Sequence, residues 1–206
     1  MKRIIALVML LPSVALTQED SQISYDWFDL SYYRTDWDSG AIETDGTGWA
    51  GRFSIGIREH VYLGGEYRNW EADGIADGST YKRFGFGVHR GIGDRWSIFG
   101  EAGFTSLDLD LGAGNIEDDP AYFAAGVRWY VADGYELRLS GEFTEAGRGT
   151  PVGRGEAAVT FGGDMYITDA VAITIEATEN DDHTTSFLIG FRIYHKKDTS
   201  GLRQRR

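Results

Sequence analysis

Four histidines, His60, His89, His183 and His195, are the first residues to weigh for chemistry. A histidine beside carboxylates is the minimum arrangement for activating a water or a nucleophile. Only His183 has that setting, next to Asp181 and Asp182. Acidic runs are the second candidate. Glu117, Asp118 and Asp119 are consecutive, and Asp108 and Asp110 are separated by one residue. Oxygen ligands of this kind suit Ca²⁺ or Mg²⁺, but the twelve-residue calcium loop is absent, so a metal remains unknown. The chain has no cysteine, which excludes disulfides and thiolate metal centres. No cofactor is expected. A formal charge of −12 argues against a nucleic-acid partner.

The third candidate set is larger and more regular. Charged residues recur at every second position inside apolar runs. The acids are Asp29, Glu66, Glu101, Glu136, Glu142, Asp164 and Glu176; the bases are Arg52, Arg58, Arg68, Arg83, Arg128, Arg138 and Arg192. Seven of each sign is the near balance that a buried ion-pair network requires, because an isolated buried charge costs several kcal/mol. The chemistry implied is mutual neutralisation within an enclosed space.

The elements that carry these charges alternate with period two, which places the two residue sets on opposite faces of a strand. The stretch Tyr81–Phe104 shows it best. Phe84, Phe86 and Val88 oppose Arg83, Gly85, Gly87 and His89; after a turn at Gly91, Gly93 and Asp94, Trp96, Ile98, Ala102 and Phe104 oppose Ser97, Phe99, Glu101 and Gly103. The same hairpin unit recurs along the chain. Strands are expected near 24–34, 49–58, 61–70, 81–90, 96–104, 121–131, 135–144, 156–167, 171–178 and 184–195. Tight turns at Glu59-His60, Asp133-Gly134 and Asp169-Ala170 alternate with longer polar loops, 36–48, 71–80, 107–120, 145–155 and 179–183. That makes an up-and-down meander of ten strands, eight being the alternative count.

A meander this long should close, since open edges invite aggregation. Closure leaves one question, which face is inside. The apolar row is too bulky for a small barrel's interior, whereas the polar row is rich in small residues such as Gly56, Gly64, Gly126, Gly162 and Gly190. The apolar row therefore faces lipid and the charges line the lumen: an all-β, closed antiparallel transmembrane β-barrel. Aromatics near the ends of the apolar row, Tyr32, Trp49, Tyr67, Trp96, Phe104, Trp129, Tyr135 and Phe143, fit the girdles found at membrane interfaces. No later stretch approaches the ~18 apolar residues of a membrane helix.

The first residues read as a targeting segment. Lys2 and Arg3 precede the apolar run Ile4–Leu11, followed by Pro12 and the small residues Ser13 and Ala15. This is the pattern of a secretory signal. The expected organisation is a signal peptide over 1–17, a barrel over 18–195 and a basic tail over 196–206 with Lys196, Lys197, Arg203, Arg205 and Arg206.

The signal, the alternating hairpins, the tight turns at one end and the long polar loops at the other together resemble the small outer-membrane β-barrels of Gram-negative bacteria. The barrel of outer-membrane protein A and the opacity-type adhesins are of this class. Gly190 and Ile193 sit near the spacings of the family's terminal assembly signal, with His195 in place of the usual aromatic. The resemblance implies periplasmic tight turns, outward acidic loops, the outer membrane as location, and outer-membrane lipid, lipopolysaccharide and the barrel assembly machinery as partners. Lys82 and Arg34, on the lipid-facing parity near the outer rim, would be the groups that meet lipopolysaccharide phosphates. His183-Thr184-Thr185-Ser186 is a loose echo of the His–Ser constellation in deacylase-type barrels. The expected function is structural, supporting envelope integrity, or adhesive through the acidic loops toward an unknown extracellular ligand, and not enzymatic. The alternatives are a narrow porin-like channel and a lipid- or peptide-modifying enzyme.

Overall fold

The computed structural model describes residues 23–38, 43–72, 79–110, 115–145, 156–181 and 184–195. The expected signal segment, the basic tail and His183 lie outside these residues. Among the described residues, eleven strands run in chain order: β1 (Trp27–Asp38), β2 (Glu43–Arg58), β3 (Val61–Ala72), β4 (Ser79–Ile92), β5 (Trp96–Asp110), β6 (Asn115–Asp118), β7 (Ala121–Ala132), β8 (Tyr135–Thr144), β9 (Glu156–Thr168), β10 (Val171–Asn180) and β11 (Thr184–Tyr194). Every pairing is antiparallel; successive strands pair, except that β5 pairs with both β6 and β7, and β1 pairs with β11 to close the ring.

Ten staves make the wall, not eleven. β5 pairs with β7 through Phe104↔Ala121 and with β6 through Leu107↔Asp118, which is one continuous register. β6 and β7 are thus a single stave broken at Asp119-Pro120. Proline has no N–H for the ladder, yet the Pro120 carbonyl still accepts from Thr105 N at 2.9 Å and Thr105 Oγ1 at 3.3 Å. The ten-strand reading of the sequence holds, and the eight-strand alternative does not.

Two expected loops are largely ladder. β1 and β2 stay paired out to Asp38↔Glu43, and β5 and β6 out to Asp110↔Asn115. Backbone pairing continues beyond the apolar rows because it depends on N–H and C=O groups and not on side-chain polarity.

The faces sort by parity. Phe86, Phe104 and Phe191 are 59, 69 and 60% exposed, and Leu30, Ile55, Leu139, Phe161 and Ile175 are exposed with them. Asp29 and Arg192, on the other parity, are 0% exposed. A closed sheet with its large apolar side chains outside and its charges inside is built for lipid, where every backbone polar group must be paired within the wall.

Both described ends of the chain lie at the tight-turn end, where Trp27 pairs with Tyr194 and Ser54. Gly93 and Gly134 supply positive φ there, 64° and 89°. A Cβ on Gly134 would meet nothing nearer than the Tyr166 carbonyl oxygen at 3.9 Å. Gly134→Ala therefore isolates backbone strain, and it is expected to lower stability by about 1–2 kcal/mol. The urea midpoint in vesicles would read this, and an unchanged midpoint would show that the turn relaxes.

Candidate functional site: the charged lumen

Alternation directs the charges inward, and the register decides which of them meet. On β1, β2, β10 and β11, Asp29 is paired with Arg52 and Arg192 as cross-strand neighbours. Arg52 grips the Asp29 carboxylate with Nε and Nη2 at 3.0 and 2.7 Å, and reaches Glu176 with Nη1 at 2.6 Å. Arg192 donates to Asp29 at 2.8 Å, to Asp164 at 2.8 Å and to Glu176 at 3.4 Å, and lies 4.0 Å over the Trp27 ring. Arg138 of β8 completes this cluster on Glu176. Tyr194 Oη donates to Asp164 at 2.6 Å.

A second cluster sits on β4, β5, β7 and β8. Arg83 donates to Glu101 at 2.8 Å and to Glu142, with its guanidinium 3.9 Å over the Tyr122 ring. Tyr122 Oη donates to Glu101. Nearby on β3, Arg68 pairs with Glu66 at 2.6 Å and lies between the rings of Tyr33 and Tyr81, 5.1 and 5.0 Å from their centroids. Toward the tight turns, Arg128 donates to Glu136 at 2.6 Å, which also accepts from Tyr166 Oη at 3.0 Å. Such charge-assisted, often two-pronged bonds are what make guanidinium tolerable inside a barrel.

The structure thus brings all seven expected acids into ion pairs with six of the seven expected bases. Arg58 is the exception. It is exposed at the tight-turn rim, where a register shift between Gly56 and Arg58 breaks the alternation that would have turned it inward.

The lumen also holds residues that charge counting misses. Tyrosines 62, 122, 130 and 194 are buried on the polar parity. The visible signal was their phase, since each alternates with the apolar row as the arginines do. The segment before β1 reads as the start of the first strand, expected from Ser24, but the strand begins only at Trp27. Ile23 and Tyr25 fold into the tight-turn mouth, and pack with Tyr62 and Phe99. Three buried polar atoms, Arg128 Nη2, Asp164 Oδ1 and Thr174 Oγ1, have no partner among the described residues.

The expected girdle residues fall at two levels. Tyr32, Trp49, Tyr67, Phe104 and Phe143 lie toward the long-loop end, with Trp49 and Tyr67 rings 5.1 Å apart. Trp96, Trp129 and Tyr135 lie toward the tight turns, the two tryptophans stacked at 4.7 Å. Trp96 and Phe104 are eight residues apart on β5, so the levels are separated by ~26 Å along the strand at ~3.3 Å per residue. Among the described residues, no group of three or more His, Cys, Asp or Glu side chains could hold a metal ion.

No family model matches the chain, and no curated protein matches it. Solved structures with a similar fold are outer-membrane barrels. The N-terminal β-barrel domain of Pseudomonas aeruginosa OprF is 13% identical over 82% of this chain and 98% of its own, with a TM-score of 0.46. Neisserial surface protein A is 9% identical over 83% and 97%, with a TM-score of 0.43. An outer membrane channel from Pseudomonas putida is 9% identical over 85% and 99%, with a TM-score of 0.49. Ring closure in ten antiparallel staves, an apolar outer face and a charged lumen give this chain the fold of the small outer-membrane β-barrels.

Proposed function

We propose that the protein is a closed barrel of the outer membrane that serves the envelope structurally or by adhesion, presenting its acidic long-loop end to the outside. The observation that carries this reading is the burial of Arg192, 0% exposed and held by three carboxylates from three other strands. A wide aqueous pore would leave such groups wet. The two aromatic levels suit the headgroup regions of a bilayer, with the tight turns toward the periplasm. The N-terminal signal sequence and the assembly machinery would bring it there.

Lipopolysaccharide is the natural neighbour of the outer rim. Arg34 is already held by Asp36 at 2.9 Å and Asp45 at 3.0 Å, so Lys82, exposed on the outer face, is the freer partner for a phosphate. No catalytic role is assigned to His183. Planar-bilayer recording of the purified protein tests the closed lumen. The expected trace is quiet, and steady, reproducible conductance steps from the wild-type protein would overturn the reading.

A further inference from the structure

Two of the four histidines face each other at the tight-turn rim. The ladder of β3 with β4 runs to Val61↔Val88, and the next position sets His60, in the turn after β2, opposite His89. The His89 N–H donates to the His60 carbonyl at 2.9 Å. Residues directly opposite on an antiparallel pair share a face, with Cβ atoms about 4.5–5.5 Å apart. The two imidazoles accordingly stand 6.1 Å apart between centroids, nearly perpendicular at 80°. The Tyr25 ring stacks on the His89 ring at 3.8 Å and 11°. A stack covers a face and leaves the nitrogens at the ring edge free. Among the described residues, neither imidazole has a side-chain hydrogen bond; the bond between the two residues is one of backbones. Two charges act on His89, the Asp26 carboxylate and the Arg128 guanidinium. Arg128 is already paired with Glu136 at 2.6 Å.

We propose that His60 and His89 form a binding site for a divalent transition-metal ion of the zinc and copper class at the tight-turn rim. Imidazole suits these ions, whereas Ca²⁺ and Mg²⁺ take oxygen ligands. Metal–nitrogen bonds of about 2.0–2.1 Å place two imidazole centroids roughly 5 Å apart around a tetrahedral ion. The pair must therefore close by about 1 Å. His60 is exposed on a turn and can supply that movement, while His89 is half-buried and held by its stack on Tyr25. Two imidazoles leave the other coordination positions to water or to an incoming ligand, so the site is open and exchangeable, unlike a closed four-ligand structural centre. The site needs neither a closed nor an open lumen, since it lies at the rim.

The test adds one equivalent of Cu²⁺ to the untagged full chain folded in lipid vesicles, with protein-free vesicles as the blank. The electron paramagnetic resonance spectrum is expected to show splitting from two imidazole nitrogens. His60→Gln, an exposed turn substitution that leaves the wall intact, should reduce this to one nitrogen. It should also raise the apparent Kd by about tenfold or more, since losing even an outer partner of a metal ligand costs 10–100-fold. His89→Gln, checked for the compact form on an unheated gel, should do the same. A double variant, His183→Gln with His195→Gln, removes the other two histidines and should bind as the wild type does. Three results would each overturn the site: no Cu²⁺ held above the blank, a two-nitrogen spectrum that survives His60→Gln, or a signal that disappears in the double variant.

Discussion

Replacing Arg192 with methionine is expected to cost the folded barrel about 3–5 kcal/mol, the range for breaking a buried ion pair by removing one partner. The substitution keeps most of the side-chain volume, so the loss is electrostatic and not a cavity. Its distribution is uneven. Glu176 keeps Arg52 and Arg138, and Asp29 keeps the two-pronged grip of Arg52. Among the described residues, Asp164 loses its one ion pair and keeps only the Tyr194 hydroxyl, with Oδ1 already unpartnered. Most of the cost should therefore sit on Asp164. A second substitution, Asp164→Asn, should recover part of it, so that the double variant is more stable than Arg192→Met alone. Urea titration of tryptophan fluorescence in lipid vesicles reads both. A loss under about 1 kcal/mol for the single variant would mean that water, and not the guanidinium, holds these carboxylates. Equal stability of the single and double variants would place the cost elsewhere in the cluster.

How far the sequence reveals this arrangement depends on which physical link is asked about. Alternation locates strands where one side faces lipid, because there the period-two contrast is strong; β8 begins at Tyr135 and ends at Thr144, as its pattern indicates. Past the lipid the contrast disappears while the ladder continues. This is why Asp36↔Asp45 and Asp108↔Glu117 are paired ladder positions in stretches that read as loops. Parity says that Arg52 points inward but not that it meets Glu176 across two intervening strands; that needs the ring closure. Arg58 fails because a bulge resets the phase. The segment 23–25 misleads for a different reason, since Ser24 and Tyr25 read as the start of the first strand and lie outside it. Its partners Ser97 and Arg128 are distant in sequence, and nothing local marks a Tyr that enters a lumen from one that starts a strand.

The network also explains why the alternation is so strict. A one-residue slip of β2 or β11 would carry Arg52 or Arg192 to the outer face. An arginine near the bilayer midplane costs about 2–4 kcal/mol on a barrel wall, and its carboxylates would be left behind inside. We infer that the ion pairs set the register of the staves as well as filling the lumen. That role can be separated from stability, because slipped barrels would fold but lose the Trp27↔Tyr194 neighbourhood that a cross-link between β1 and β11 detects.

The same cost, applied deliberately, tests the orientation on which every functional reading stands. Val88 is 48% exposed on β4, and it pairs with Gly100, midway between the aromatic levels of Trp96 and Phe104. Val88→Arg is expected to destabilise the barrel in lipid vesicles by about 2–4 kcal/mol, through the cost of placing a guanidinium among acyl chains. An arginine at Phe104, nearer the headgroups, should cost about 0–1 kcal/mol, since it can extend its charge to the interface there. Depth dependence is the discriminating feature. On a water-facing surface both changes would be close to neutral, and both would raise solubility, because an exposed apolar side chain gains nothing from water. Stabilities in vesicles that are indifferent to arginine at residue 88 would therefore place the apolar row in water and invert the barrel. A graded loss, larger at residue 88 than at residue 104, follows only when lipid covers the wall and the arginines and carboxylates face one another within it.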